Sequence, residues 1–482
     1  MISMELPPYA PTLMESTRAI GYSLEAASAD IIDNSIAAGA STVNIFFFPM
    51  GEAYVAFLDN GCGMNSNELN DAMQYGSKSP LGIRDKQDLG RFGLGLKTAS
   101  LSQCRMLTVI TKQGGDLEAR RWDLDYVTKT GKWSLLILNK EEMKKIPCIE
   151  ELMKYVSGTL VVWQNLDRLR TGESNFEQAM TRKFDRVRNH ISLVYHRYLS
   201  GEAGIQKLAI TINHVPINPV DPFLHHKSTQ IMDDEILVIR GSKIIVRPYM
   251  LPHTSRMTPE ELQMLGGTDG LRKMQGFYVY RNKRLLIWGT WFRMIKQDNL
   301  SKLARVQVDI PNTLDDLWTL DIKKSSAQPP AEVKKNLQTV IEKLAEQSRR
   351  TWTWRGKKEV GDPDMQLWNR MKTRDGGVFY EINRKHPLVQ QVSQVSPQTN
   401  RILDLLLKQI EKGLPLNQLY IDLNQDVRVE NEQKQPPEEI IAIAKMLISN
   451  MSSEEEKENF LQTLMLAEPF RNYPDLKNFI EK

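Results

Sequence analysis

The sequence predicts an α+β protein: a mixed helix-and-strand segment, a second strand-rich segment, and a helical C-terminal region. Three observations carry that expectation. Apolar residues recur at helical spacing from Ser16 and give way to strand-type runs from Thr42. Strand-type runs dominate again between Lys207 and Ile310, and from Ile402 onward the apolar spacing is helical only. A chain of 482 residues has room for roughly two to four domains with cores of their own.

Taken in order, Ile20, Leu24, Ala27 and Ile31 form one helical stripe in a helix from Ser16 that Gly39 ends. Thr42 to Phe48 reads as a strand, Pro49 to Glu52 as a turn, and Ala53 to Leu58 as the partner strand. Asn65 to Gln74 is helical, Gly76 to Asp88 is a polar loop, and a helix opens near Leu96. Strands are expected at Met106–Thr111, Glu118–Leu124, Trp133–Leu138 and Gly158–Gln164, followed by one long helix from Glu177 to Tyr198. The second strand-rich section begins with the β-rich run at Leu208–Ile212 and continues through Ile236–Ile239, Lys243–Val246, Gly276–Tyr280 and Arg305–Ile310. A polar helix spans Ala331 to Arg350, and Thr351 to Gly377 is a basic, Trp-containing linker or partner-binding arm. Ile402, Leu405, Leu406 and Ile410 make a helical stripe ended by Gly413. Pro436 and Pro437 open the next helix, and Ser453 with Glu456 is a capping box for a third.

Hydrophobic residues at 41%, charged residues at 25% and a net charge of +4 describe an ordinary soluble protein. That charge neither requires nor excludes nucleic acid. Cys62, Cys104 and Cys148 lie far apart, so zinc-ligand spacing is absent and a reducing, cytoplasmic location is expected. Cys62 reads as a small apolar filler. The N-terminus lacks a signal-peptide pattern and no run is long enough for a membrane span, so no membrane association is expected.

Three stretches carry chemistry. In ADIIDNSIAAGA (Ala29 to Ala40), Asp30 and Asn34 share a helix face. A carboxylate beside a carboxamide suits a Mg-nucleotide hydrolase, one orienting water and the other ligating a hard cation. In LDNGCGM (Leu58 to Met64), Asp59 ends a strand and faces Gly61 and Gly63, where it would accept the exocyclic amine of adenine. By itself such a turn is more often a solvated Asx turn. In DLGRFGLGLKTAS (Asp88 to Ser100), Gly90, Gly93 and Gly95 precede a helix, where backbone amides and the helix dipole favour phosphate, and Lys97 adds a full charge. The P-loop pattern fails because Leu96 separates Gly95 from Lys97, and the dinucleotide pattern fails at Thr98.

The three stretches together, followed by GTLVVW at Gly158, resemble the Bergerat ATP-binding fold of the GHKL superfamily over roughly the first 165 residues. That superfamily includes gyrase B, the heat-shock chaperone, histidine kinases and MutL, and GRFGLGLK and DNGCGM look closest to MORC, bacterial MORC-like and MutL-like ATPases. The resemblance implies a Bergerat-type α/β sandwich, ATP and Mg²⁺ as cofactors, and a role for each position. Asn34 would bind Mg²⁺, and Asp59 would read adenine. Gly61 and Gly63 would leave room for the base, with Met64 beside them. Gly90, Arg91, Phe92, Gly93, Leu94, Gly95, Leu96 and Lys97 would face the phosphates. Thr159 would sit near adenine, and Ser77, Lys78 and Ser79 would belong to an ATP lid.

The family usually has Glu where this chain has Asp30. Asp30 is expected to be the base, with Asp33 the alternative; Asp33 otherwise pairs with a backbone or basic partner beneath the site. Further on, GFYVYRNKRLL (Gly276 to Leu286) resembles a strand of the transducer domain of MutL and MORC proteins. WTLDIKKS (Trp318 to Ser325) stands where that family presents a lysine to the γ-phosphate, either Lys323 or Lys324, the latter favoured. The implied organisation is an ATP-binding domain with an N-terminal strap (1–200), a transducer domain (201–330), a helix and basic linker (331–385) and a helical partner-binding region (386–482). The implied activity is a slow ATPase that closes its lid, pairs two copies through Met1 to Thr17 as an exchanged strap, and acts on DNA in a bacterial restriction or anti-phage system. A chaperone-like or scaffold protein using ATP binding as an assembly switch is the alternative. Arg281, Lys283 and Arg284, and Arg182, Lys183, Arg186 and Arg188, are basic sets able to face a phosphate backbone or simply solvent. Trp352 and Trp354 stack on nucleic acid or pack on the preceding helix. A histidine kinase is disfavoured because no phosphoacceptor His precedes the first motif. After residue 380 the single histidine, His386, speaks against a nuclease cluster.

Overall fold

The structure, a computed structural model, describes residues 4, 6, 8–19, 21–76, 95–230, 233–297, 301–315, 318, 329–341, 367–372, 378–393, 396–416, 419, 437–449, 453–466 and 470. The chain divides into two compact units, Met1–Trp354 and Arg355–Lys482. Among the described residues no helix is long and apolar enough to cross a membrane.

The first unit holds two sheets. The larger has eight strands: β1 (Thr42–Phe48), β2 (Tyr54–Asp59), β3 (Met106–Gln113), β4 (Asp116–Asp123), β5 (Leu136–Ile137), β6 (Gly158–Gln164), β7 (Ala209–Ile212) and β8 (Val215–Pro216). Their order is β5-β4-β3-β6-β2-β1-β7-β8, with β1 and β7 parallel and the other neighbours antiparallel. Side chains alternate between two cores, as a period of two dictates. Val55 and Phe57 join one core, together with α2 (Leu24–Ala37) and α9 (Phe176–Val194), while Ala56 and Leu58 join a second with α6 (Lys140–Lys144) and α7 (Ile149–Met153). The remaining helices of this part are α1 (Ala10–Arg18), α3 (Ser66–Met73), α4 (Gly95–Leu101), α5 (Leu124–Thr130), α8 (Asp167–Arg170) and α10 (His196–Ser200).

The second sheet has β9 (Thr229–Gln230), β10 (Glu235–Ile239), β11 (Ser242–Met250), β12 (Gly276–Arg281), β13 (Arg284–Thr290) and β14 (Ala304–Ile310), with α11 (Pro259–Met264) and α12 (Gly267–Lys273) between β11 and β12. Its path is β10-β11-β14-β12-β13, with β9 on β11. A helix over residues 331–341 packs Val333, Leu337, Val340 and Ile341 into the same core.

Several expectations change here. The chain is not one helix from Ser16: α1 ends at Arg18, Gly21 takes φ +80°, and Ser23 caps α2 by accepting from the Ala26 N–H. The helix expected at Glu177–Tyr198 breaks at Tyr195, whose φ of −107° and ψ of 17° leave helical values. The run at Leu208–Ile212 does not open the second sheet. Its strand β7 pairs in parallel with β1 and completes the first sheet. Trp133–Leu138 contributes only the two-residue β5, and α6 and α7 were not anticipated.

In the second unit, β15 (Trp368–Lys372) and β16 (Val378–Ile382) form a hairpin where the sequence suggested only a linker arm. Trp352 and Trp354 lie outside the described residues. Helices follow at Pro387–Ser393, Pro397–Lys412, Pro437–Ser449 and Glu454–Leu466. The stripe of Ile402, Leu405, Leu406 and Ile410 is exposed along Pro397–Lys412.

Candidate functional site

Helix α2 organises the site. Asp30 is buried and Asn34, one turn on, is exposed, so the carboxylate sits inside and the carboxamide at the surface of one face. Tyr22, just ahead of the helix cap, donates from its hydroxyl to Asp30 Oδ2 at 3.1 Å. A Cβ added to Gly95 would lie 3.4 Å from the same oxygen, so the first residue of α4 closes over Asp30. Asp33 points elsewhere. Its Oδ1 accepts from Arg284 Nε at 2.7 Å, and the Tyr195 hydroxyl lies 2.7 Å from both that oxygen and the Ala29 carbonyl oxygen. The expected basic partner of Asp33 is therefore Arg284, delivered by the second sheet.

Asp59 ends β2 beside α2. Ser35 Oγ donates to Oδ2 at 2.9 Å, Gly61 N to Oδ1 at 2.9 Å and Thr159 N to Oδ1 at 3.3 Å. Burial pushes its carboxyl above the usual range, against the lowering effect of those three donors. Asn60 latches the turn, its Oδ1 accepting from Ser41 N and Thr42 N, both at 2.9 Å. Met64 N donates to Thr111 Oγ1 at 2.8 Å, and that hydroxyl oxygen lies 3.5 Å from Thr159 Oγ1. Asp59, Met64 and Thr159 thus meet at the ends of β2, β3 and β6.

The two glycines here are required by the protein's own packing. A Cβ on Gly63, at φ +70°, would stand 2.1 Å from the Lys112 carbonyl oxygen. A Cβ on Gly61 would stand 2.8 Å from Ala38 Cβ and 3.0 Å from Asp59 Oδ1. Gly63 is needed for the close approach of β3, and Gly61 clears both α2 and the Asp59 carboxylate.

The third motif is described only from Gly95 onward. Gly95 and Leu96 open α4 and are half-buried. Lys97 has partners inside the protein. Its ammonium is buried and donates to the Ala72 and Gln74 carbonyl oxygens at 2.9 and 2.8 Å, at the C-terminal end of α3. There it offsets the negative end of the α3 dipole and satisfies terminal carbonyls. Ser77, Lys78, Ser79, Gly90, Arg91, Phe92, Gly93, Leu94, Lys323 and Lys324 lie outside the described residues.

Other expectations shift with burial. Cys62 is exposed, not a filler. The basic set on the β12–β13 hairpin is spoken for within the protein. Arg281 makes a two-pronged pair with Asp315, Lys283 reaches Glu202, and Arg284 holds Asp33. On α9, Lys183 pairs with Glu173, Arg186 with Glu25, and Arg188 donates to the Pro216 carbonyl, while Arg182 is exposed near Glu173. Helix α1, within the expected strap, packs on its own chain. Arg18 donates to both oxygens of Asp167 at 2.6 and 2.8 Å and to the Leu101 carbonyl oxygen at 2.6 Å. Tyr22, Ser35 and Tyr195 escaped the sequence reading, and Arg284 was read only as one of a basic set, because their partners are fixed by tertiary contact and leave no local signature.

Residues 22–159 match the family described as Histidine kinase-, DNA gyrase B-, and HSP90-like ATPase. ATPase MORC2B of Mus musculus is 33% identical over 91 residues, 18% of this chain and 9% of that protein. MORC family CW-type zinc finger protein 1 of Homo sapiens is 31% identical over 91 residues, again 18% of this chain and 9% of its own length. A protein named as MutL protein homolog 1 in Schizosaccharomyces pombe is 32% identical over 105 residues, 21% of this chain and 15% of that protein. The matches thus span between 9% and 15% of these curated relatives. The crystal structure of the N-terminal domain of a DNA repair protein aligns with 71% of this chain and 98% of its own, at 14% identity and a TM-score of 0.44. Residues 22–159 of this chain are a domain of the histidine kinase-, DNA gyrase B- and HSP90-like (GHKL) ATPase family, with MORC and MutL proteins among its relatives.

Proposed function

We propose that this protein is an ATP-dependent conformational clamp that binds Mg-ATP and hydrolyses it slowly. The observation that carries the reading is the placement of helix α2: it sets Asp30 against Gly95 at the start of α4, carries Asn34 one turn on, and meets Asp59 at the end of β2 through Ser35. Asp59 suits adenine recognition. Three donors already reach its carboxylate, which offers about four acceptor positions, so roughly one stays available for an exocyclic amine.

Asp30 is the proposed base. Asp33 is a poor candidate because an arginine and a tyrosine hold it inside the protein. In the proposed reaction Asp30 orients the attacking water and accepts its proton, within the roughly 2.6–3.2 Å such a transfer needs. Tyr22 holds that carboxylate in place. Magnesium fits the donor set: Asn34 offers an exposed hard oxygen close to a carboxylate, and Mg²⁺ commonly takes one or two protein oxygens and fills its shell with water and phosphate. The ion would neutralise phosphate charge. The resemblance adds phosphate contacts from Gly90 to Leu96, an ATP lid at Lys78, and Lys324, or Lys323, at the γ-phosphate.

The wider reading follows the same resemblance. Residues 1–200 form the ATP-binding domain with its strap, completed by β7 and β8. Residues 201–330 form the transducer, 331–385 a helix and basic linker, and 386–482 a helical partner-binding region. ATP closure pairs two copies, and the clamp acts on DNA in a bacterial restriction or anti-phage system. A second reading, a chaperone-like or scaffold protein switched by ATP binding, is favoured by one observation: the basic residues of the β12–β13 hairpin are paired inside the protein.

The test combines ATP turnover, with and without DNA, with mass measurement in a non-hydrolysable analogue. The clamp reading expects turnover that DNA stimulates and an analogue-dependent dimer. Dimerisation without DNA response moves the assignment to the switch. Asp30→Asn should keep ATP binding and lose turnover; undiminished turnover refutes Asp30 as the base.

A further inference from the structure

The hairpin joining β12 to β13 grips three separate parts of the first unit: Asp315, the end of α10, and α2. Its turn residues, Asn282 and Lys283, take φ of 47° and 68°, a tight two-residue reversal. On one side Arg281 is locked to Asp315, Nε to Oδ1 and the second nitrogen to Oδ2, both at 2.8 Å. At the tip the Asn282 carbonyl accepts from the Tyr198 hydroxyl at 2.6 Å, and Lys283 Nζ reaches Glu202 Oε1 at 2.9 Å. On the other side Arg284 crosses to α2 and binds Asp33, with the two side chains 6% and 2% exposed.

A buried ion pair is a weak source of net stability but a strong constraint on geometry, because neither charge tolerates losing the other. Asp30, Asp33, Asn34 and Ser35 all lie on helix α2 within two turns and move with it. Asp33 lies between Asp30 and Asn34, and Ser35, the next residue, holds Asp59. A grip on Asp33 therefore sets the rotation and axial position of the proposed base, the proposed metal ligand and the support of the proposed adenine reader together. Burial opposes the charge on Arg284, but Asp33, then Tyr195 and Asp30, outweigh it and hold the guanidinium charged.

We propose that Arg284, acting through Asp33 and backed by Tyr195, is a positioning residue for ATP hydrolysis that ties the placement of α2 to the second sheet. The inference rests on the ATPase reading above. A misplacement of about 1 Å is enough to cost on the order of a hundredfold in rate, so a modest shift of the hairpin is translated into turnover.

The experiment uses the full chain and compares wild type with Arg284→Gln, Arg284→Lys, Asp33→Asn and the Asp33→Asn/Arg284→Gln double variant. It measures affinity for a non-hydrolysable ATP analogue, kcat, KM and melting temperature. Expected are analogue affinity within about threefold of wild type and kcat lowered about ten- to a hundredfold in Arg284→Gln. Arg284→Lys should recover part of kcat, and the double variant should fall no further than the single ones. Wild-type kcat in folded Arg284→Gln, or in Asp33→Asn should that variant alone fold, overturns the inference. So does a loss confined to melting temperature and to the fraction of active protein. Wild-type protein that binds no ATP overturns the ATPase reading itself, and this inference with it. Wild-type turnover with unaltered variants overturns this inference alone.

Discussion

Replacing Lys97 with Met separates two roles that the sequence makes indistinguishable. Met keeps an apolar stem in the same space and deletes the ammonium that donates to Ala72 and Gln74. Hydrogen bonds from a charged donor contribute about 1.5–3 kcal/mol each. Two are lost, and removing the cost of burying the charge returns part of that, so a net loss of about 2–4 kcal/mol is expected. For a domain of this size the melting temperature should fall by roughly 5–15 °C. Affinity for a non-hydrolysable ATP analogue, measured by calorimetry well below the melting range, should stay within about threefold, because the ammonium is committed to the end of α3. An unchanged melting temperature together with an affinity loss of about tenfold or more, near 1.4 kcal/mol, would refute the reasoning and return Lys97 to the phosphates.

Asp59→Asn keeps the shape of the turn but exchanges an acceptor for a donor at one oxygen position, and should weaken adenine-nucleotide binding by about ten- to a hundredfold in calorimetry; unaltered affinity removes Asp59 from the base. Gly63→Ala combines a left-handed backbone angle with a contact at 2.1 Å from the Lys112 carbonyl oxygen, and should cost about 2–5 kcal/mol, read as a lowered urea midpoint; an unshifted midpoint contradicts the packing of this turn. His196 is buried against the Tyr280 hydroxyl with Asp221, Arg197, His225 and Glu202 around it, and burial lowers its pKa to about 4. The unfolded chain therefore takes up the proton first, so stability is complete above about pH 6.5 and is lost as pH falls toward 4, by at most about 3 kcal/mol. His196→Gln should flatten that part of the stability profile, and an unchanged slope refutes the assignment.

What the sequence reveals divides along physical lines. β1 at Thr42–Phe48 and β6 at Gly158–Gln164 have the bounds expected of them, because β-branched and aromatic runs bounded by turn residues report on local geometry. The pairing of Asp59 with Gly61 is equally local, two residues apart. Arg284 and Asp33 are 251 residues apart, so no local pattern joins them. Lys97 shows the opposite difficulty. A lysine beside glycines at a helix start has the composition of a phosphate site whether its ammonium faces the ligand or folds back onto α3, and only tertiary packing decides. The break between α1 and α2 was hidden because the apolar spacing runs on past the end of α1 at Arg18 and through Gly21, whose positive φ lies between the two helices.

The aspartate at position 30 fits the packing around it. A glutamate would carry its carboxyl about 1.5 Å farther from the backbone. Asp30 Oδ2 already receives the Tyr22 hydroxyl on one side and faces the first residue of α4 on the other, with only 3.4 Å to the position a Gly95 Cβ would take. The longer acid would press its oxygens into that turn or leave the tyrosine. Helices α2 and α4 therefore stand close enough that the shorter side chain spans the gap, reaching to within 3.4 Å of where a Cβ at position 95 would sit. The shortened acid moves the reacting oxygen back toward α2, and α2 is the helix whose position Arg284 sets through Asp33. The more the acid depends on the placement of its helix rather than on its own reach, the more tightly turnover is bound to the second sheet.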